Sequence, residues 1–440
     1  MQKHRPNILL LHSHDTGRCI QPYGEAIPTP HLQRFAEQGV VFRHAFCAGP
    51  TCSPSRAALM TGRFPHQVGM FGLAHLGWTL NADALTMPQH LQAAGFHTTL
   101  GGFQHIASWK GDAWRRLGYD ERLEAAGDTG SRRADEACAF LKRTHSSPFF
   151  LDVGFTETHR SAWIDHEGSR IQWHNGPDSP TGDPRYVRPP ATLPDEPITR
   201  RDFADFAESV KRLDHLYGTI LDGLDASEYA DNTIVVITTD HGIAFPRMKC
   251  NLTDHGTGVL LMMRGPAEYG LTGGKVIDAM VSQMDVLPTL LEWIGIESDS
   301  PLEGVSLNPT LNNTTPAQDP TGLRDAIFSE INYHNTREIE RAIRTERYKY
   351  IRCYDDEPVA RHSCDGSTSR DLMTAFGWGD RPLPTERLYD LVFDPTEACN
   401  LATDPRLSSV VADLRGRLES WMRQTNDPAL LGSVPEPVAG

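Results

Sequence analysis

Nowhere in these 440 residues does an apolar run approach the roughly 18 residues that a membrane-spanning helix requires. The N-terminal apolar stretch from Ile8 to Leu11 is too short for the core of a signal peptide, and His12 and His14 break it. No small-residue cleavage site follows it, so the expected address is cytoplasmic. Cysteine is sparse: the eight are scattered without a framework spacing, which in a large chain points to free thiols. Positive charge is in the minority, with 42 Lys and Arg against 57 Asp and Glu and a net charge of −15. That balance argues against nucleic acid or an anionic membrane as partner. An anionic substrate has to be met by a local cluster of cations and metal. Internal repeats and low-complexity tracts are absent as well. What is present, 39% hydrophobic and 22% charged residues, is the composition of a globular protein. The length implies two domains, or one large and one small.

Ile8 to Leu11 reads as a short strand buried on both faces. Thr29 caps, Pro30 opens and Gly39 stops a helix, and residues 40–45 read as the next strand. The alternation continues through strands over 98–100, 148–154 and 233–239 and a helix over 201–221. It predicts an α/β sandwich around a mostly parallel sheet. Residues 161–197, rich in Pro, Gly, Asp and His, predict a long surface excursion suited to a substrate loop. After Arg324 the texture changes: 341–352 predicts a hairpin of edge-type strands, and 408–425 a helix. The expected division is a catalytic α/β domain over 1–323 and a smaller α+β subdomain over 324–440.

Sites in open α/β sheets gather at the carboxyl ends of strands, and three expected strand ends carry metal-type or anion-type residues. His12-Ser13-His14-Asp15 follows the first strand. Asp240-His241-Gly242 closes the strand over 233–239, its Gly permitting a sharp turn with both side chains in the cleft. Together they supply two carboxylates and two imidazoles for one divalent ion. The third end runs from Phe149 to His159 and Arg160. Thr51-Cys52-Ser53-Pro54-Ser55-Arg56 opens a predicted helix, whose N-terminal N–H groups favour an anion. Alone, these residues predict a metal-dependent hydrolase with a nucleophile at a helix N-terminus. Metal and cations would neutralise the charge that develops in transfer. His159 or His105 would supply the leaving-group proton.

Cys52 followed at fixed offsets by Pro54, Arg56, Thr61 and Gly62 resembles the signature of the type I sulfatases. The likeness runs over nearly the whole chain, through 282–291, 302–307, 388–391 and Asp394-Pro395. Residues 46–56, 65–73 and 243–252 are most similar to the sulfamidase (heparan N-sulfatase) branch. The resemblance implies an alkaline-phosphatase-like fold and a sulfate ester or N-sulfate substrate, on a sugar or other small organosulfate. It also implies that a formylglycine-generating enzyme oxidises Cys52 to formylglycine. In that family one hydroxyl of the aldehyde hydrate attacks sulfur and the other expels sulfate, two easier steps replacing a hard one. The implied metal set is His14, Asp15, Asp240 and His241 with Cys52. His159 would contact the sulfate and leaving group, and Lys249 the sulfate, with Arg247 as the fallback. His105 would orient the nucleophile's hydroxyl, and Arg56 would stabilise its ionised form.

The chain departs from the family pattern in two places. Most sulfatases carry Asp-Asp and Asp-Asn, an all-oxygen set suited to calcium, where this chain has His14-Asp15 and Asp240-His241. Imidazole nitrogen favours manganese, zinc or iron, unless either His sits outside the metal shell or binds the substrate anion. The usual Gly-Lys-x-His reads Gly102-Phe103-Gln104-His105, so Phe103 replaces a sulfate-binding Lys. Either His14 or another residue takes over that contact, or the substrate is not a typical sulfate ester. Two other readings follow: a phosphonate monoester hydrolase or phosphodiesterase of the same superfamily, and a degenerate, non-catalytic sulfated-glycan binding module. Trp109, Trp114, Trp163 and Trp173, in or near expected loops, either stack on sugar rings or simply pack.

Overall fold

The computed structural model describes residues 5–108, 111–123, 130–165, 168–173, 181–312, 323–355 and 363–436. Eight strands form the main sheet: β1 Asn7–Ser13, β2 Val40–Phe42, β3 His97–Gly102, β4 Glu121–Leu123, β5 Phe149–Gly154, β6 Thr233–Thr239, β7 Leu261–Arg264 and β8 Lys275–Ile277. Their spatial order is β8-β2-β7-β6-β1-β5-β3-β4. The five strands from β6 to β4 run parallel, and β7 is antiparallel to both its neighbours. This is the mostly parallel sheet that the strand and helix alternation predicts.

The apolar run of β1 is explained by burial on both faces. Ile8 and Leu10 join one core, with helix α1 (Cys52–Thr61) and the C-terminal residues Ile343, Leu388 and Leu418. Leu9 and Leu11 join the other, under helix α2 (Pro197–Asp225). Alternate residues of a strand face opposite sides, so a two-sided sheet needs an unbroken apolar run. All ten residues of α1 are buried, including Arg56.

A four-stranded antiparallel sheet follows: β9 Ile327–Tyr333, β10 Arg337–Arg344, β11 Tyr348–Cys353 and β12 Glu386–Asp390, in that order. The hairpin expected over 341–352 is there, yet its strands β10 and β11 are the inner pair rather than edges. Charged residues of this sheet are buried and paired. Arg341 makes a bidentate ion pair with Asp427, Lys349 lies 2.5 Å from Asp254, and Arg387 pairs with Glu340. Helix α4, Ser408–Gln424, packs on β10 and β11 of this sheet, whereas helix α3, Thr368–Ala375, packs on α2. The expected excursion over 161–197 contains a hairpin, Arg160–Asp165 with Gly168–Trp173. Residues 166, 167 and 174–180 of that stretch lie outside the described residues.

Among the described residues, no helix is long and apolar enough to cross a membrane. All eight cysteines are free.

Candidate active site

The parallel registers bring three strand ends side by side. His12 of β1 stands opposite Gly154 of β5 and Thr238 of β6, so the segments that leave these strands emerge together. Two glycines make that crowding possible. A Cβ on Gly154 would sit 1.9 Å from the Phe103 carbonyl and 2.4 Å from the His12 ring, and one on Gly242 would sit 1.9 Å from the His255 carbonyl.

Asp240 organises the centre. Its Oδ1 accepts the backbone N–H groups of Asp15 and His241 at 2.8 and 2.9 Å, which fixes the carboxylate. Its Oδ2 is left facing His14 Nδ1 at 3.2 Å and the Arg56 guanidinium at 3.0 Å. His14 Nδ1 also lies 2.7 Å from Asp15 Oδ1. His241 places Nδ1 2.9 Å from the Gly242 carbonyl, so that nitrogen carries the proton and Nε2 presents a lone pair. This Nε2 is buried without a hydrogen-bond partner, 3.3 Å from Asp15 Oδ1. A lone pair facing a carboxylate in a dry site is repulsive unless a cation lies between them. Ligand atoms of His14, Asp15, Cys52, Asp240 and His241 all lie within 4.8 Å of one another. The five residues fit a single divalent ion, and the two nitrogens move the donor set away from the all-oxygen type.

Cys52 opens α1 and is 2% exposed. Burial pushes its thiol well above the ordinary range, against the opposing pull of Lys249. Lys249 is fully buried and donates to Asp15 Oδ2 at 2.9 Å and Asp365 Oδ2 at 2.8 Å. Burial works against its charge, but Asp15 and Asp365 overcome that and hold the ammonium ionised. Burial likewise opposes ionisation of Asp15, and the Lys249 ammonium does most to outweigh it, bringing the carboxyl down to about 2.

His159 sits at the mouth with its side chain 29% exposed, its Nε2 4.0 Å from Asp15 Oδ2 and its ring 4.3 Å from that of His14. His105 is buried, and its Nε2 lies 2.9 Å from His75 Nδ1. Burial, reinforced by Arg56, lowers the His105 pKa well below the usual imidazole value. Phe103 lies inside this group, its ring centroid 5.2 Å from His14 and His105 and 5.1 Å from the Arg56 guanidinium carbon.

Arg56 reaches the centre through Asp240, the Ser13 carbonyl and His12 Nδ1 rather than by lying against Cys52. A guanidinium only donates, so His12 accepts at Nδ1 and carries its proton on Nε2. That Nε2 is 2.8 Å from Asp152 Oδ1, at an angle too oblique for an aligned hydrogen bond, and Tyr119 donates to Asp152 Oδ2 at 2.5 Å. Sequence reasoning missed this buried chain and missed Asp365. No local pattern marks them: Asp152 hides in an apolar strand, and Asp365 sits in a polar loop more than a hundred residues from its partner.

Arg247 does not join the cluster. It lines a separate cavity with Arg387 and Trp378, two residues along the chain from Lys249 and facing elsewhere. Trp114 and Trp173 are buried packing residues. Trp109 and the Trp163 side chain lie outside the described residues.

A mostly parallel sheet with a buried His/Asp donor cluster and a helix-start cysteine at its carboxyl edge defines an alkaline-phosphatase-like hydrolase. The solved phosphonate monoester hydrolase of Agrobacterium radiobacter shares this fold (TM-score 0.70, 20% identity, 97% of each chain). So does a protein solved with its substrate D-glucosamine-2-N,6-O-disulfate (TM-score 0.71, 21% identity, 97% of this chain and 99% of that one). The sulfatase family model matches residues 6–296, and a model described as N-sulphoglucosamine sulphohydrolase, C-terminal, matches 249–361. The chain belongs to the sulfatase family and is a sulfuric ester hydrolase. It is similar to human N-sulphoglucosamine sulphohydrolase, at 29% identity over 96% of this chain and 91% of the relative. It is also similar to a Delta 4,5-hexuronate-2-O-sulfatase of Bacteroides thetaiotaomicron, at 26% identity over 96% and 90%.

Proposed function

We propose that this enzyme hydrolyses a sulfate ester or N-sulfate carried on a sugar, through Cys52 matured to formylglycine and one divalent ion. The ion would be held by His14, Asp15, Asp240 and His241 together with residue 52. The observation that carries the reading is the His241 Nε2 lone pair, buried without a hydrogen-bond partner and turned toward Asp15 among five converging ligands. Maturation of Cys52 agrees with its raised pKa, because the thiolate rather than the thiol is the nucleophile and burial suppresses it. When present, the aldehyde supplies a hydroxyl nucleophile and the ion Lewis-acid stabilisation.

The remaining work falls to side chains of this chain. Lys249 offers a buried ammonium to the sulfate oxygens, with Asp15 and Asp365 fixing its position. His159, at the mouth, protonates the departing oxygen or nitrogen. Arg56 immobilises Asp240, and the His105–His75 pair orients the nucleophile from the opposite side. Phe103 supplies no charge, so Lys249 is the principal side-chain cation on the anion. Two imidazoles in the donor set favour manganese or another transition ion over the calcium usual in the family.

The test expresses the chain with a formylglycine-generating enzyme and determines the mass of the Cys52 peptide. Turnover is then compared on an N-sulfated glucosamine, an O-sulfated glucosamine and an aryl phosphonate ester. The reading expects aldehyde at position 52 and preference for a sulfated sugar. A preference for the phosphonate would assign a phosphonate monoester hydrolase. An unmodified thiol with glycan binding but no turnover would assign a binding module.

A further inference from the structure

A cavity of about 760 Å³ lies between the segment containing Arg247 and Asn251, helix α3 with the loop after it, and strand β12. None of the five clustered ligand residues lines it. Its volume suits a ligand of one or two sugar rings.

Several features of its wall go beyond ordinary packing. Arg247 is held at a φ of 65°, a left-handed backbone that non-glycine residues seldom adopt and that concentrates at functional positions. Among the described residues its guanidinium makes no hydrogen bond or ion pair. Arg387 pairs with Glu340 through one terminal nitrogen, but its Nε is buried without a partner, on a side chain only 7% exposed. Tyr389 lines the cavity beside both arginines. Phe376 is 80% exposed, and Trp378 follows it across Gly377 at the cavity's edge. Glu196, Glu338, Glu397 and a third arginine, Arg381, also line it, and burial raises Glu397 to about 7 despite the pull of Lys349.

Guanidiniums with spare donors take a carboxylate or sulfate, exposed aromatic faces take a pyranose ring, and carboxyl groups take its hydroxyls. The three carboxyls that share the lining with the arginines disfavour a polyphosphate, whose charge is denser and which offers them few hydroxyls. We propose that this cavity is a second, non-catalytic binding site for an anionic saccharide unit. Arg247 and Arg387 hold its acid group, and Phe376 and Trp378 hold its ring. The ligand class rests on the sugar-sulfate reading above. The site would retain a neighbouring unit of a longer chain or a second chain, and leave the chemistry on a single sugar untouched.

The test uses the full chain as Cys52→Ala, which cannot turn over. It is titrated calorimetrically with a tetrasaccharide of alternating uronate and N-sulfated glucosamine. Arg247→Asn, which tolerates the left-handed backbone, and Trp378→Ala are then added separately, with thermal melting to confirm the fold. Each should weaken tetrasaccharide binding about tenfold or more. In the Cys52 background, each should leave kcat/KM on the N-sulfated monosaccharide within about twofold of the parent. Unchanged tetrasaccharide affinity in both folded variants overturns the inference. Equal losses on the monosaccharide would also overturn it, by placing the cavity in the catalytic site. If the parent hydrolyses no sulfated sugar, the functional reading fails on its own, and the titration still decides whether the cavity binds the saccharide.

Discussion

Replacing Lys249 by Ala tests the centre of the proposed site most directly. The ammonium is fully buried and lies 2.9 Å from Asp15 and 2.8 Å from Asp365, so its removal strands two carboxylates as well as a bound anion. Truncating one partner of a buried, hydrogen-bonded charge pair costs about 2–5 kcal/mol. At roughly 1.4 kcal/mol per decade, kcat/KM on a sulfated sugar should fall about thirtyfold to a few thousandfold. Part of the loss should travel through Asp15, whose pKa of about 2 depends strongly on Lys249; without that cation its carboxyl should titrate higher. Lys249→Arg should retain part of the activity, since charge survives while the geometry changes. Asp365→Asn should cost activity in the parent and add little to Lys249→Ala, because Asp365 acts through the ammonium. Steady-state kinetics across this double-mutant cycle, with metal content measured for each variant, gives every term. Activity of Lys249→Ala within about threefold of the parent would refute the reasoning. So would additive effects of the two changes. A crippled Arg247→Ala beside an intact Lys249→Ala would instead show that the basic residue of the site is Arg247.

Cys52→Ala and Cys52→Ser should abolish turnover while the protein still melts cooperatively, because each change at this tightly packed helix start is small; residual turnover above contaminant level counts against the nucleophile. His241→Ala should release most of the bound ion, read by elemental analysis after dialysis, and manganese should restore a chelated parent at least as well as calcium. Full calcium occupancy in His241→Ala would remove the nitrogen-donor argument. Asp152→Asn should lower kcat more than KM by loosening His12 and with it Arg56, while substrate binding through Lys249 persists; an effect confined to KM would deny the positioning role. Asp427→Asn should cost about 3–5 kcal/mol in denaturant unfolding by unpairing the buried Arg341. Burial opposes ionisation of Asp427, but Arg341 depresses its pKa in the folded state. Its contribution is therefore complete above an unfolded pKa of about 3.9 and lost as pH falls through the lower folded value. The parent should show that acid-side decline, and Asp427→Asn should lack this component.

What could be read from the sequence and what could not divide along a physical line. Strand β1 was legible because an apolar run bounded by Pro6 and His12 leaves few alternatives, and burial on both faces is what such a run requires. His14-Asp15 and Asp240-His241 were legible as candidates because each pair follows directly on an apolar strand, and parallel pairing must bring those ends together. Charge was where the reading failed. The charged stretch 341–352 read as edge-type strands, yet its Arg341 and Lys349, like Arg387 of β12, are each buried against a carboxylate distant in sequence. Asp365 was invisible for the same reason: its role is defined by Lys249, 116 residues away, and no local period encodes such a partnership. Periodicity reports which face of an element is apolar, whereas a buried ion pair is a contract between two elements that leaves no mark on either. The two residues Arg247 and Lys249 show how fine the consequence is. They share one basic loop and one plausible role on paper, but the left-handed turn at Arg247 sends one toward the cavity beside β12 while the other enters the donor cluster.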